Sequence, residues 1–502
     1  MYNGATVACT AYYYYISSMN FNSAIKLTLC TAILLIATIV GAQRVTVSKE
    51  ISIRNDYAYD IVGQVDDNLL LYRDKGNEKV MEVYDSNLKF LYDRELRLQE
   101  RKASVYGVAN TGDQVVVYSG YKKKGKYTLQ AHSYNSDVQP TDTTVLIDER
   151  ETFPVRSFQY AISADRSKTM LFAASSADIM HIYVVDNDSV HVVWWKEMLI
   201  SDFDVRADFR EAFVTDEGVA YIVLYDSNKE SKKGEPQFLL ISTGHDETVT
   251  TKQLKVNKKY VVDVECRYDQ KNDNIVLAGL ASDDREFDSD SYFFFTKNIS
   301  SLADTEEMQF RNFDTQFIEE VYGKKLGRKK QLNDFLTRDV IVRNDGGILL
   351  VTEMEKEFFR RSNFNSTPQS AAPYGRGWVD LYNEDIIIVS INPDGTEHWK
   401  KILYKKQFAQ DNDAVYSSFY IFKNPSQLRL IYNDEIKNNI TVSEYVLNPL
   451  GRQERNSLLS TEYQNLKIRW PDAVQIGPST LLVPSENNSR LSLVKVDYSE
   501  GS

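Results

Sequence analysis

The residue types that could do chemistry are few and scattered. Five histidines, His132, His181, His191, His245 and His398, are the nitrogen ligands and imidazole bases on offer. No two stand four apart, and neither H-E-x-x-H nor C-x-x-C occurs, so no zinc ligand set can be written. Residues 269–274, DQKNDN, and 409–414, AQDNDA, carry the oxygen ligands that calcium prefers. Both lack the central glycine and the closing bidentate glutamate of an EF-hand loop and read as solvated acidic turns. There is no G-x-x-x-x-G-K-[ST] phosphate loop, and YGRGW at 374–378 is too short for a dinucleotide loop and follows no βα unit. No G-x-S-x-G nucleophile elbow is present. Two carboxylates suffice for glycoside hydrolysis, but with 71 Asp and Glu no pair can be singled out. No catalytic residue, metal ligand or cofactor follows from these tests.

The chain has 502 residues, 42% hydrophobic and 26% charged, the makeup of a folded protein, with a net charge of −12. That acidity argues against non-specific nucleic-acid binding, which needs a basic face. It leaves protein and glycan partners open. The 32 Tyr and 23 Phe suit β-sheets, where flat rings pack on a pleated surface. Lys26 precedes the apolar run LTLCTAILLIATIV at 27–40, followed by GAQ. The run, about 14 residues, is short for a membrane span, and Val40 and Ala42 sit where a signal peptidase reads small residues. The expectation is a signal peptide over 1–42, with Met19 as the alternative start, and a single domain over 43–502 with no membrane span. A retained anchor is the competing reading. Cleavage would remove Cys9 and Cys30 and leave Cys266 without a disulfide partner. In YVVDVECRY, Val262, Val264, Cys266 and Tyr268 alternate onto one strand face, which makes Cys266 a small buried hydrophobe.

These residues have to be positioned by something, and the chain repeats one phrase: an alternating run, a tight turn, then a β-rich run. It occurs as YDIVGQVDDNLLLYRD, VYGVANTGDQVVVYSG, SFQYAISADRSKTMLFAA, EAFVTDEGVAYIVLYD, VDVECRYDQKNDNIVLAGL, RDVIVRNDGGILLVTE, SSFYIFKNPSQLRLIYND and DAVQIGPSTLLVPSE. The turns centre on about residues 67, 112, 166, 217, 273, 346, 426 and 478, and the shorter spacings match one four-stranded propeller blade. A second hairpin follows. IIIVSINPDGTEHWKKIL around Gly395 aligns with EYVLNPLGRQERNSLL around Gly451, which makes NPDG the turn between third and fourth strands. Trp399 is then a packing residue and His398 an exposed one. Only that turn and Trp399 match the tryptophan-docking repeat of quinone-binding propellers, and only in one unit, so no quinone is expected. The predicted fold is all-β: a β-propeller of eight four-stranded blades. Seven blades and two packed β-sandwiches are the alternatives. The last unit has three strands, and RVTVSKEISI at 44–53 can supply its fourth and close the ring.

Two long spacings hold insertions. Residues 313–335 form the helical stretch, with Phe313, Phe317, Val321 and Leu326 as an apolar stripe, Asp314 as the cap and Gly323 as the interruption. The basic run 324–330 reads as a solvated face. Residues 355–382 read as a long loop. Within it Arg360, Arg361, Tyr374, Arg376 and Trp378 are the partner-binding candidates, because Arg, Tyr and Trp dominate binding hot spots. Five N-x-[ST] sequons, at Asn187, Asn298, Asn365, Asn439 and Asn487, are a number that an Asn-rich chain produces by chance.

LTRDVIVRNDGGILLVTE, NEDIIIVSINPDGTEHWKKILYKKQ, YSSFYIFKNPSQLRLIYND and VQIGPSTLLVPSE resemble a family of secreted bacterial β-propeller-like proteins of unassigned activity. The resemblance spans roughly residues 310–490. It implies the fold and an exported setting and carries no catalytic residue with it. The expectation is therefore an exported, monomeric, non-enzymatic propeller that binds a protein or glycan partner in the periplasm, at the outer surface or outside the cell. The alternatives are a carbohydrate-active hydrolase or lyase with acidic residues at the channel mouth, and a small-molecule sensor domain.

Overall fold

Strand-forming runs punctuated by Asn, Asp, Gly and Ser pair with the run just before them, because a tight turn joins neighbours with little loss of chain freedom. The computed structural model describes residues 43–150, 157–226, 236–246, 248–256, 259–284, 288–302, 308–327, 331–360, 378–434, 441–460 and 466–499. Their strands form eight antiparallel sheets, six of four strands and two that take up a fifth. These are the blades of an eight-bladed β-propeller, numbered here in chain order, with strands counted first to fourth from the centre outward. The first strands are Ala58–Val65, Ser104–Asn110, Gln159–Ile162, Phe209–Val214, Tyr260–Asp269, Phe335–Val342, Phe419–Lys423 and Val474–Gln475. Each turn anticipated from the repeat is the hairpin between a first and a second strand.

Second strands such as Asn68–Asp74 and Gln114–Lys123 read as unbroken apolar runs because both faces meet a neighbouring blade. Leu70 packs toward blade 2 and the adjacent Leu71 toward blade 8. Every one of the eight junctions between blades, including that between blades 8 and 1, has its own buried apolar cluster. Closure is as expected: Arg44–Val47 pairs with Arg490–Asp497 as the outer strand of blade 8, and Ile51–Ser52 pairs with the start of that same strand.

The first strands of blades 1, 2, 4, 5 and 6 each carry a β-bulge. An extra residue reverses the alternation beyond it, and this corrects one expectation. Val261, Val264, Cys266 and Tyr268 face blade 4, whereas Val262, the bulge residue, faces blade 6. Cys266 is buried as expected. The bulge is so close to the second strand that a Cβ on Gly279 would lie 2.1 Å from the Asp263 carbonyl oxygen.

The helical insertion is shorter than expected. Helix α1 spans only Thr315–Tyr322, because Asp314 caps its start, accepting from Phe317 N at 2.8 Å, and Gly323 ends it in the left-handed region. Phe317, Ile318 and Val321 join the cluster between blades 5 and 6, and Leu326 packs against it. By Phe335 the chain is already in blade 6. Residues 328–330 of the basic run lie outside the described residues.

The 355–382 segment is also corrected. It is strand at both ends rather than loop: the second and third strands of blade 6, Ile348–Arg360 and Trp378–Ile391, run on past the blade as a paired arm. The arm takes up a further strand, Gln407–Gln410. A bulge between Glu353 and Glu355 marks where the arm leaves the blade.

The Asn187 side chain helps join blades 2 and 3. It is fully buried; its Oδ1 accepts from Tyr118 Oη at 2.8 Å and Thr169 Oγ1 at 2.9 Å, and its Nδ2 donates to the Arg166 carbonyl at 2.7 Å. Asn187→Ala leaves two buried hydroxyls without an acceptor, and we expect a loss of about 2–4 kcal/mol in urea unfolding. The signal-peptide expectation falls on residues 1–42, outside the described residues. Among the described residues no helix is long and apolar enough to cross a membrane.

Candidate functional site

The first strands edge a central channel whose two halves differ. Just after the bulge, blades 1 and 2 carry Gly63 and Gly107, while blades 4, 5 and 6 carry Glu211, Asp263 and Asp339. Each of these three carboxylates accepts from the next residue's amide, at 3.2, 3.0 and 2.8 Å respectively, which fixes its aim. Asp263 also accepts from Thr337 N of blade 6 at 2.8 Å. Burial raises Asp263 above the usual carboxylate range despite those donors.

Charge pairing then runs from blade to blade. Arg267 of blade 5 reaches Glu265 at 2.8 Å and Asp339 of blade 6 at 2.6 Å. Lys423 of blade 7 meets the other Asp339 oxygen at 2.7 Å. Burial opposes the Asp339 charge, but Lys423 and Arg267 outweigh it and hold the carboxyl below its ordinary value. Arg338, the bulge residue of blade 6, forks onto Glu353 at 2.8 Å and onto Glu355.

Behind Arg338 is a buried polar hub. Glu353 and Lys405, both 0% exposed, pair at 2.6 Å. Lys405 Nζ also donates to the Asn383 carbonyl at 3.1 Å and to Gln407 Oε1 at 2.7 Å. Glu353 accepts from Ser418 Oγ at 2.7 Å, and Gln407 Nε2 donates to the Asn433 carbonyl at 2.7 Å. Asn433 in turn accepts from Trp470 Nε1 at 3.1 Å, which carries the network from blade 6 through blade 7 to the entry of blade 8. Burial works against the Glu353 charge, yet Lys405 and Arg338 keep the carboxyl below the ordinary glutamate value. The same burial draws Lys405 down despite Glu353.

Arg267, Arg338, Asp339 and Lys423, with Asn383 and Ser417, line a cavity of about 680 Å³ at the channel mouth between blades 5 and 8. The base of the blade 6 arm forms one wall through Glu355, Leu381 and Asn383. Farther out, Phe358 is 53% and Phe359 66% exposed, and Phe358, Tyr382 and Phe408 form a chain of edge and tilted ring contacts.

No known family model matches the chain, and no curated protein does. In structure it is similar to an uncharacterised protein of Listeria monocytogenes, at 10% identity and TM-score 0.36 over 71% of this chain and 83% of that one. It is similar also to the WD40 domain of SCAP from fission yeast, at 9% identity and TM-score 0.39 over 90% and 98%. A third is the β-propeller domain of the Trilobed protease from Pyrococcus furiosus, at 11% identity and TM-score 0.37 over 80% and 98%. Likenesses this distant carry no argument about activity; blade count and closure rest on the strand pairing itself.

Of the sequence candidates, Arg360 and Trp378 are register partners at the far end of the described arm. Arg361, Tyr374 and Arg376 lie outside the described residues. The arm thus joins the candidate segment to the cavity at its base. His132 is buried between Thr143 and Ser119, and burial lowers it to about 4. His398 is exposed as expected. Trp399 is the packing residue anticipated: its indole donates to the Pro449 carbonyl of blade 7 at 3.1 Å and lies over Gly451. Among the described residues no group of three or more His, Cys, Asp and Glu is placed to hold a metal ion. Sequence reasoning missed the hub. Its signal was Arg338, Asp339, Glu353 and Glu355, charges inside strands that otherwise read apolar.

Proposed function

We propose that this is a non-catalytic binding propeller of the bacterial envelope, which takes a macromolecular partner at the channel mouth and the adjoining arm. The observation that supports it best is that the charges at the mouth are spent on one another and anchored by the buried hub. Such groups form a preorganised surface, with little energy lost to ordering on binding. The exposed aromatics of the arm beside it are the residue type that anchors interfaces. The envelope setting is supported by the apolar run at 27–40 and its small-residue end. The hydrolase reading has one point in its favour: burial pushes Glu265 up while Lys423 and Arg267 hold Asp339 down. Arg267 sits between the two and pairs with both, which leaves neither carboxylate free to act on a substrate.

The test is capture from solubilised envelope with the immobilised protein, its Lys423→Glu variant, and Trp195→Ser on the outer strand of blade 3. Lys423 is 47% exposed at its side chain, and Asp339 keeps Arg267 without it, so the fold should survive. We expect the native protein and Trp195→Ser to retain the same partner and Lys423→Glu to lose it. Equal recovery by Lys423→Glu would remove the channel mouth from consideration.

A further inference from the structure

We infer that the cavity at the channel mouth takes a neutral, polyhydroxylated ligand, the end or a branch of a glycan chain; this rests on the binding reading above and names its ligand class. Charge comes first. Arg267, Arg338, Lys405 and Lys423 at and behind the cavity stand against Glu265, Asp339, Glu353 and Glu355, and each of these eight has an opposite partner, while the neighbouring Asp263 is held by two backbone amides. A phosphate or carboxylate ligand would need a cation that is not already spent, and a cationic ligand a spare carboxylate. A ligand without net charge meets no such conflict.

The second observation is independent of the first. Asn383 and Ser417 line the cavity, are 1% and 2% exposed, and are unsatisfied: Asn383 Oδ1 and Ser417 Oγ have no hydrogen-bond partner among the described residues. Asn383 cannot turn its amide over to escape this, because its Nδ2 already donates to Glu355 at 3.1 Å and Glu353 at 3.3 Å. An acceptor aligned in that way, with a hydroxyl that both donates and accepts, is the complement of a ligand hydroxyl. Buried polar groups left unpaired lower stability, so a water or a ligand hydroxyl that reaches them from the cavity gains both hydrogen bonds.

The third observation is the rest of the lining. Leu381, Phe419, Tyr420, Ile421 and Pro471 add apolar groups to the polar ones. A sugar ring has this dual character, with hydroxyls at its edge and C–H groups on its face. The volume of about 680 Å³ lies in the range of small-ligand sites and is too small for more than the tip of a chain.

The experiment is calorimetric titration with short neutral oligosaccharides, an anionic polyuronate fragment and an uncharged polar peptide as probes. It uses the native protein, Ser417→Ala and Ala414→Trp. Ser417→Ala removes a hydroxyl that holds nothing in the fold, so the melting temperature should stay or rise. Affinity for the neutral saccharide should fall about tenfold, the worth of one hydrogen bond. Ala414→Trp, which fills the cavity from its wall, should abolish binding. A neutral saccharide that binds and responds in this way supports the inference. Binding confined to the polyuronate or the peptide, or a saccharide bound equally by both variants, overturns the glycan inference and leaves the binding reading standing. No probe bound, together with unchanged envelope capture by Ala414→Trp, overturns both.

Discussion

Lys405→Met will destabilise the propeller by about 3–5 kcal/mol, read as a lower urea midpoint at unchanged slope. The ammonium is fully buried and its three donors all have acceptors, on Glu353, Asn383 and Gln407. Methionine fills the space but leaves Glu353, itself 0% exposed, with Arg338 as its one remaining cation among the described residues. A buried charge stripped of a partner is among the most damaging changes a core can suffer. Adding Glu353→Gln should restore part of the loss, because the stranded charge goes with it, and the double-mutant cycle then reports the coupling. The acid side of the stability profile gives a second readout. The folded Glu353 carboxyl lies below its ordinary value of 4.5, so the unfolded chain binds the proton more readily. Its contribution is fully present above that ordinary value and drains as pH falls through the lowered folded one. In Lys405→Met the carboxyl loses the larger of the two cations that hold it down, so this acid loss should begin at higher pH. Equal midpoints for native and variant would mean that the hub does not hold blades 6 and 7 together.

Deletion of residues 43–53 should destabilise the whole ring by about 4–6 kcal/mol, since Val45, Ile51 and Ile53 pack at its seams and a fully buried side chain of this kind is worth about 1.5–3 kcal/mol. The segment does more than cover an edge. Ser48 N donates to the Leu493 carbonyl at 2.9 Å and its Oγ accepts from Leu493 N at 2.8 Å. The Ser52 carbonyl accepts from Arg73 at 2.6 Å, and Arg73 is held by Asp56 and Glu82 in blade 1. The deletion thus opens the junction between blades 8 and 1 and bares the outer edge of Arg490–Asp497. We expect a lower melting temperature and aggregation on heating. A melt that matches the full protein would show that the ring does not need this strand.

Much of this fold was legible because it repeats. A blade hairpin needs a turn with special backbone geometry flanked by strand-forming residues, and both are local properties. Gly112, Gly218 and Gly346 show the positive φ that those turns require. Asp314 and Gly323 delimit α1 for the same local reason, although the apolar stripe beyond Gly323 suggested a longer helix. The bulges were not legible. Whether an extra residue is inserted at Val262 depends on the partner strand, and only the pairing of Tyr260–Asp269 with Asn274–Ser282 decides it. The arm was missed because the sequence pairing Arg360 with Trp378 lacks the alternation and short turn that mark a hairpin.

By itself the sequence determined the blade hairpins and marked 44–53 as a strand suited to close the ring, because neighbouring residues set those outcomes; the strand pairing decided eight blades over seven. Only the tertiary structure decided where charge collects. Glu353 and Lys405 lie far apart in the chain, as do Arg267 and Asp339, or Asp339 and Lys423. Each alone is an ordinary charged residue on a strand. Ring closure brings the inner strands of blades 5 to 8 to one channel mouth, where burial forces these charges to pair and where, among the described residues, Asn383 Oδ1 and Ser417 Oγ have no partner.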